Sequence, residues 1–197
     1  MLPNFKLLYN NKSDTLDVIF HGSSQGMESR FINKIFEASV KYGHTPLSLN
    51  FPFIDKGETK SSGPELLEEC NVINDTLELL KPITFSKIRL IGKSLGGVIA
   101  GKYVSRLTNK KLDNISLFIM GYDIGYIDIK NFPGEITIIQ GSKDKYGDIE
   151  AVKKDMKDAK SKNITYKSIN GANHSYCNPE TEEPIFEDEA IRLIFEK

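Results

Sequence analysis

Short apolar runs alternate with amphipathic segments along almost the whole chain of 197 residues. The apolar runs predict strands at Phe5–Tyr9, Asp17–Phe20, Thr45–Leu49, Lys87–Ile91, Ile115–Met120, Glu135–Gln140 and Ile164–Ile169. The amphipathic segments predict helices at Glu28–Tyr42, Pro64–Leu80, Leu95–Thr108, Asp148–Ala159 and Pro184–Glu196. Strands and helices that alternate through short connections form a mainly parallel sheet with helices on both faces. We therefore predict one α/β domain over residues 1–197.

The composition excludes several classes of protein. With 39% hydrophobic and 27% charged residues, the chain is neither disordered nor fibrous. A formal net charge of −1 gives no attraction for nucleic acid. The two cysteines, Cys70 and Cys177, form no CxxC pair, so we expect neither disulfides nor zinc, and a reducing compartment. We find no secretory signal and no apolar stretch long enough to span a bilayer, and therefore expect a cytoplasmic protein without a membrane partner.

The most informative motif is Gly92-Lys93-Ser94-Leu95-Gly96-Gly97, which lies between a predicted strand and a predicted helix. G-x-S-x-G in this context is typical of a nucleophile elbow, a sharp turn that raises the serine oxygen above the sheet. Glycine two residues to either side removes side chains that would collide in such a turn. The helix N-terminus directs backbone N–H groups at the same point. The motif therefore predicts that Ser94 is a nucleophile.

A phosphate-binding loop is the alternative for these residues, because Gly92-Lys93-Ser94 could end a G-x-x-x-x-G-K-S sequence. That loop requires glycine five residues before Gly92, where this chain has Lys87. The residues between them also have the pattern of a strand. Both observations disfavour nucleotide binding.

A serine nucleophile needs a base, and the base needs an acid that orients it. Among the three histidines, His174 follows the last predicted strand and therefore lies at the carboxyl edge of the sheet. His44 precedes a strand and belongs at the opposite edge. Asp144 follows the strand Glu135–Gln140, at the same edge as His174. These positions predict the triad Ser94–Asp144–His174.

Two other aspartates remain candidates for the acid. Asp123 lies just past the strand that ends at Met120. Asp148 lies at the start of a predicted helix, where it is expected to be a cap or a first-turn residue.

Four segments together resemble the small α/β-hydrolases of the dienelactone-hydrolase-like kind. They are His21-Gly22-Ser23-Ser24, Gly92-Lys93-Ser94-Leu95-Gly96-Gly97, Gly141-Ser142-Lys143-Asp144 and Asn173-His174-Ser175. Dienelactone hydrolases proper usually carry cysteine as the nucleophile, whereas this chain has Ser94. The resemblance covers nearly the whole chain and implies an α/β-hydrolase fold.

The resemblance also implies a mechanism. The backbone N–H groups of Ser23 and Leu95 would form the oxyanion hole, and His21 would be structural. A serine esterase of this kind requires no metal or organic cofactor, and carboxylic esters are the default substrates, with thioesters and small peptides next. Phe51, Tyr122 and Tyr176 follow strand ends and are candidates for lining a substrate pocket, with core packing as the alternative.

The segment Gly121–Gly134 separates two predicted strands. Similar hydrolases with a lid commonly insert it in this interval, which is too short here for a capping domain. The chain is therefore expected to have an open site that suits small or water-soluble esters. The competing hypothesis is a binding or scaffold protein that keeps the fold without catalysis.

Overall fold

The computed structural model describes residues 3–81, 83–108 and 112–196, which contain a seven-stranded sheet in the order β1-β3-β2-β4-β5-β6-β7. Its strands are β1 (Phe5–Leu7), β2 (Thr15–Phe20), β3 (Thr45–Leu49), β4 (Lys87–Lys93), β5 (Ile115–Met120), β6 (Glu135–Gly141) and β7 (Ile164–Ile169). The edge strand β1 pairs antiparallel with β3, and every other pair is parallel. The predicted mainly parallel sheet is confirmed.

Helices cover both faces of this sheet. They are α1 (Arg30–Lys41), α2 (Pro52–Asp55), α3 (Leu67–Leu79), α4 (Leu95–Ser105), α5 (Ile149–Asp155), which continues into a 3-10 turn at Met156–Asp158, and α6 (Glu187–Phe195). Successive residues of a strand point to opposite faces. In β2, Val18 and Phe20 therefore join the core under α3, α4 and α5, whereas Ile19 joins the core under α1 and α6.

The start of α3 differs from the sequence-based expectation. Pro64 lies in a turn, and the helix begins at Leu67. The cause is Leu66, whose φ of 49° is left-handed and interrupts the helical path. Because the side chain of Leu66 is buried in the core, tertiary packing stabilises a backbone conformation that leucine disfavours.

The carboxyl ends of the parallel strands meet at one edge, where ligands of such sheets bind. The loops after β2, β4, β5, β6 and β7 all leave from this edge. Residues 121–134 contain no helix or strand, so no cap element stands between β5 and β6. Among the helices of the described residues, none is long and apolar enough to cross a bilayer.

Candidate active site

Ser94 lies at the turn from β4 into α4, with φ 51° and ψ −116°. Non-glycine residues rarely adopt this backbone conformation, and such strain persists only where surrounding contacts fix it. The N–H of Ser94 donates to the carbonyl oxygen of Met120 at 2.9 Å. Its own carbonyl oxygen accepts from the N–H groups of Gly97 at 2.7 Å and Val98 at 3.2 Å. The turn is thus held between strand β5 and the first turn of α4.

Two glycines allow the backbone segments around this turn to approach closely. A Cβ atom on Gly92 would lie 2.6 Å from the carbonyl of Gly96, and one on Gly96 would lie 2.6 Å from the carbonyl oxygen of Phe20. Neither backbone segment can move away without shifting the sheet. The spacing of glycine in the motif therefore follows from backbone packing at the elbow.

We expect Gly96→Ala to destabilise the fold by about 2 kcal/mol or more, because overpacking against backbone exceeds the helix propensity gained from alanine. Gly97→Ala is the matched control. Its Cβ would lie 3.2 Å from methyl groups of Ile119 and Ile127, which can adjust, and at an ordinary contact distance of 3.6 Å from the carbonyl oxygen of Gly92. Chemical denaturation of both variants measures the difference, and equal unfolding free energies would contradict the argument.

His174, in the loop after β7, is hydrogen-bonded to Asp144, in the loop after β6. Nδ1 of His174 donates to Oδ2 of Asp144 at 2.8 Å. The same oxygen accepts from Nε2 of Gln140 at 3.0 Å, and Oδ1 accepts from the backbone N–H of Tyr146 at 2.9 Å. Asp144 is buried, so these contacts fix its carboxylate in one orientation.

This hydrogen bond determines which ring nitrogen of His174 is available. Because a carboxylate only accepts, Nδ1 carries the proton, and the neutral ring presents Nε2 as an unprotonated acceptor. Nε2 is buried and has no hydrogen-bond partner among the described residues. The ring of Tyr146 contacts the imidazole edge-on, with the ring centres 4.7 Å apart. The imidazole is therefore oriented from two sides, with its basic nitrogen free.

Ser94 and His174 line the same cleft, whose volume is about 580 Å³. The cleft runs between the loop after β2, the start of α1 and the loops that carry Asp144 and His174. Its lining is largely polar and includes Ser23, Ser24, Gln25, Ser29, Arg30, Lys145 and Ser175. The apolar contribution comes from Phe31, Ile32 and Tyr146.

The loop after β2 brings backbone donors to the nucleophile. A Cβ atom on Gly22 would lie 3.5 Å from the carbonyl oxygen of Lys93 and 3.8 Å from the Cβ of Ser94, so this loop packs directly on the elbow. The N–H groups of Ser23 and Leu95 donate to no acceptor in the part of the chain that the structure describes. Free N–H groups beside a serine can hold a developing oxyanion.

His21 supports this loop from within the core, where it is fully buried. Its Nδ1 donates to the carbonyl oxygen of Gly22 at 2.6 Å, and its Nε2 accepts from the N–H of Phe51 at 3.0 Å. Burial lowers the pKa of His21, which keeps the ring neutral. The structure gives this histidine a structural position and brings only His174 to the serine.

The two rival aspartates occupy different positions from Asp144. Asp148 caps α5, because its Oδ1 accepts from the N–H of Ala151 at 2.9 Å. Asp123 lies near His174, but its buried Oδ1 has no hydrogen-bond partner in the described residues, and burial raises its pKa. Only Asp144, of the three, is hydrogen-bonded to the imidazole.

The three aromatic residues proposed to bind substrate do not line the cleft. Phe51, Tyr122 and Tyr176 are fully buried. The hydroxyl of Tyr122 donates to Oδ2 of Asp155 at 2.8 Å, and that of Tyr176 donates to the carbonyl oxygen of Ile139 at 2.8 Å. The alternative, core packing, describes all three residues, because their rings are buried and the two tyrosine hydroxyls donate to groups inside the protein.

Two residues that the sequence did not single out contact the site. Gln140 donates to Asp144 while its Oε1 accepts from the N–H of Tyr122 at 2.6 Å, so it ties the acid to the loop after β5. Lys93 donates to the main chain of His174 at 2.8 Å. Both residues lie at the carboxyl ends of strands, and that position was the only signal in the sequence that could have indicated them.

Comparisons with known proteins agree with this architecture. A family model described as an alpha/beta hydrolase domain matches residues 13–195. A search of the curated proteins finds no match to the sequence. Among solved structures, an alpha-beta serine hydrolase homologue from Coxiella burnetii superposes with a TM-score of 0.73 at 16% identity, covering 99% of this chain and 97% of its own.

Two further structures have the same fold. A monoacylglycerol lipase from Paleococcus ferrophilus has a TM-score of 0.72 at 15% identity, with coverage of 100% and 98%. A serine hydrolase without a lid from Xanthomonas campestris has a TM-score of 0.69 at 16% identity, with coverage of 92% and 80%. At these identities the similarity establishes a shared fold.

Proposed function

Since this chain belongs to the alpha/beta hydrolase family, we propose that it is a serine hydrolase that cleaves carboxylic esters of small substrates through Ser94, His174 and Asp144. One observation carries the proposal. Nδ1 of His174 is hydrogen-bonded to Asp144, Nε2 has no partner among the residues that the structure describes, and the ring lines the same cleft as Ser94. This arrangement supplies a nucleophile, an oriented base and adjacent backbone donors.

The reaction proceeds in two halves. Nε2 of His174 takes the proton of Ser94 Oγ as that oxygen bonds to the acyl carbon, and the N–H groups of Ser23 and Leu95 hold the oxyanion. The imidazolium then gives the proton to the alkoxide leaving group, and an acyl-enzyme remains. Water attacks the acyl carbon after losing a proton to the same Nε2. The acid product leaves, and Ser94 regains its proton.

Labelling by a fluorophosphonate probe tests the proposal. An activated serine displaces fluoride from phosphorus and forms a stable phosphonyl ester, whereas unactivated serines react far more slowly. We expect mass spectrometry of the digested protein to find the adduct on Ser94, and heat-denatured protein to remain unlabelled. A folded protein that resists the probe would contradict the proposal and favour a non-catalytic member of the family.

The cleft predicts a preference for short acyl chains. No helix or strand within residues 121–134 covers it, and serine and charged side chains form most of its lining. A long acyl chain would gain little burial there, since its methylene groups would remain in contact with water. We expect kcat/KM for nitrophenyl acetate or butyrate to exceed that for the dodecanoate by about tenfold or more. The opposite order would count against an open, polar site.

A further inference from the structure

Lys93 directly precedes Ser94, and its side chain reaches the main chain of His174. Its Nζ donates a 2.8 Å hydrogen bond to the carbonyl oxygen of His174. Gly121 leaves the space for this contact, because a Cβ there would lie 2.9 Å from Cε1 of His174 and 3.0 Å from Nζ of Lys93. A single side chain therefore connects the strand of the nucleophile with the loop of the base.

The surroundings of this ammonium group are poorly solvated. Desolvation lowers the pKa of Lys93 from 10.5 to about 8, against the opposing attraction of nearby carboxylates. The charged and titratable groups that face it are Asp123, Asp144, His174, Tyr176 and Cys177. A methionine would fill similar space without the desolvation cost, so the amino group needs a specific reason to be here.

His174 itself makes few hydrogen bonds to the residues outside its loop. The side chain of Asn173 accepts from the N–H groups of Ser175 and Cys177, at 2.9 and 3.0 Å, and thereby closes the loop on itself. Within the described residues, the hydrogen bonds that His174 makes to the rest of the site are the bond of its ring to Asp144 and the bond of its carbonyl oxygen to Lys93. Loss of the second bond would leave the ring in contact with Asp144 and Tyr146 but would remove the hydrogen bond that holds its backbone.

On the basis of the proposed function, we infer that Lys93 is a positioning residue that holds His174 at a fixed distance from Ser94 by anchoring the His174 carbonyl to the nucleophile strand. Proton transfer between Oγ and Nε2 is steeply sensitive to this distance, and a misplacement of about 1 Å can reduce the rate about 100-fold. The bond is made to the main chain and not to substrate. Its loss therefore affects the chemical step more than ground-state binding.

Steady-state kinetics of Lys93→Met test the inference. We expect kcat to fall about 10- to 100-fold while KM changes by less than about threefold, which is the signature of a lost contribution to the transition state. Lys143→Met is the matched control, because Lys143 lies at the same sheet edge with an exposed side chain, and it should retain wild-type kinetics. Lys93→Gln keeps a neutral donor on a shorter side chain, so its kcat should lie between those of Lys93→Met and the wild type. This variant serves as the test if Lys93→Met does not fold.

The pH profile separates positioning from a general loss of structure. Below a pKa of about 8, Lys93 is an ammonium that binds the His174 carbonyl strongly and is attracted to Asp123 and Asp144. Above that pH the neutral amine is a weaker donor, so wild-type kcat should decline, and the low kcat of Lys93→Met should lack this decline. Wild-type kcat and an unchanged profile in Lys93→Met would overturn the inference, even if the probe labels Ser94. Absence of labelling in wild-type protein would instead overturn the proposed function.

Discussion

Replacing Ser94 by alanine is expected to lower ester turnover by about four to six orders of magnitude while leaving the fold intact. The substitution removes only Oγ, which makes no hydrogen bond within the described residues. Alanine must adopt the same φ of 51°, so the backbone strain at the elbow should be similar in the variant and the wild type. The unfolding midpoint should therefore stay close to that of the wild type.

The measurement pairs turnover of nitrophenyl acetate with thermal unfolding of the same samples. Residual activity should reflect only binding and the oxyanion donors, which remain in place without the nucleophile. Turnover within tenfold of wild type would exclude an acyl-enzyme on Ser94 and would place the chemistry elsewhere. A large drop in the unfolding midpoint would show that the hydroxyl of Ser94 stabilises the fold, although it makes no hydrogen bond in the described part of the chain.

The strands were the most predictable part of the fold. The structure has β3, β5 and β7 with the predicted bounds, because each is a short run of apolar or β-branched residues that ends at a loop. Helix starts were less predictable. Pro64 has the right chemistry for a first helical residue, but the buried side chain of Leu66 determines the backbone there, and burial depends on the rest of the fold.

The positions of the triad candidates could be predicted because topology alone brings them together. Residues that follow β4, β6 and β7 must meet at the carboxyl edge of a parallel sheet, whatever their side chains do. In the structure His174 is hydrogen-bonded to Asp144 and lines the same cleft as Ser94, and the rival Asp148 caps a helix instead. The sequence could not show which aspartate is hydrogen-bonded to His174, because Asp123 and Asp144 both follow strands that end at this edge of the sheet.

The residues that line the cleft were much harder to predict from sequence. Tyr122 and Tyr176 follow strand ends as expected, but their side chains turn into the core and donate to Asp155 and Ile139. Side-chain direction after a strand depends on loop dihedrals such as the φ of 59° at Tyr176, which no pattern of residue types specifies. The lining comes partly from α1, where Phe31 belongs to an apolar pattern typical of any core-facing helix.

Asp144→Asn is expected to reduce kcat by about three to four orders of magnitude. Asparagine can turn its NH₂ group toward Nδ1 of His174, which then must accept, so the proton moves to Nε2 and the ring can no longer take the serine proton. The amide oxygen then takes the place of Oδ1 and accepts from the N–H of Tyr146, whereas Nε2 of Gln140 loses its contact with this side chain and keeps its bonds to the carbonyl oxygens of Tyr122 and Gly147. The protein should therefore fold, as circular dichroism can verify, with the base in the wrong tautomer.

Asp123→Asn is the matched comparison for this variant. Both substitutions remove one carboxylate charge near His174 and keep the side-chain shape, yet only Asp144 is bonded to the ring in the structure. If the triad acid acts through that hydrogen bond, Asp123→Asn should change kcat by less than about tenfold, because a nearby charge alone contributes far less. If negative charge near the imidazole were sufficient, the two variants would lose similar activity. A large loss in Asp123→Asn alone would make Asp123 the acid, so the ratio of the two rates separates orientation of the base from its electrostatic surroundings.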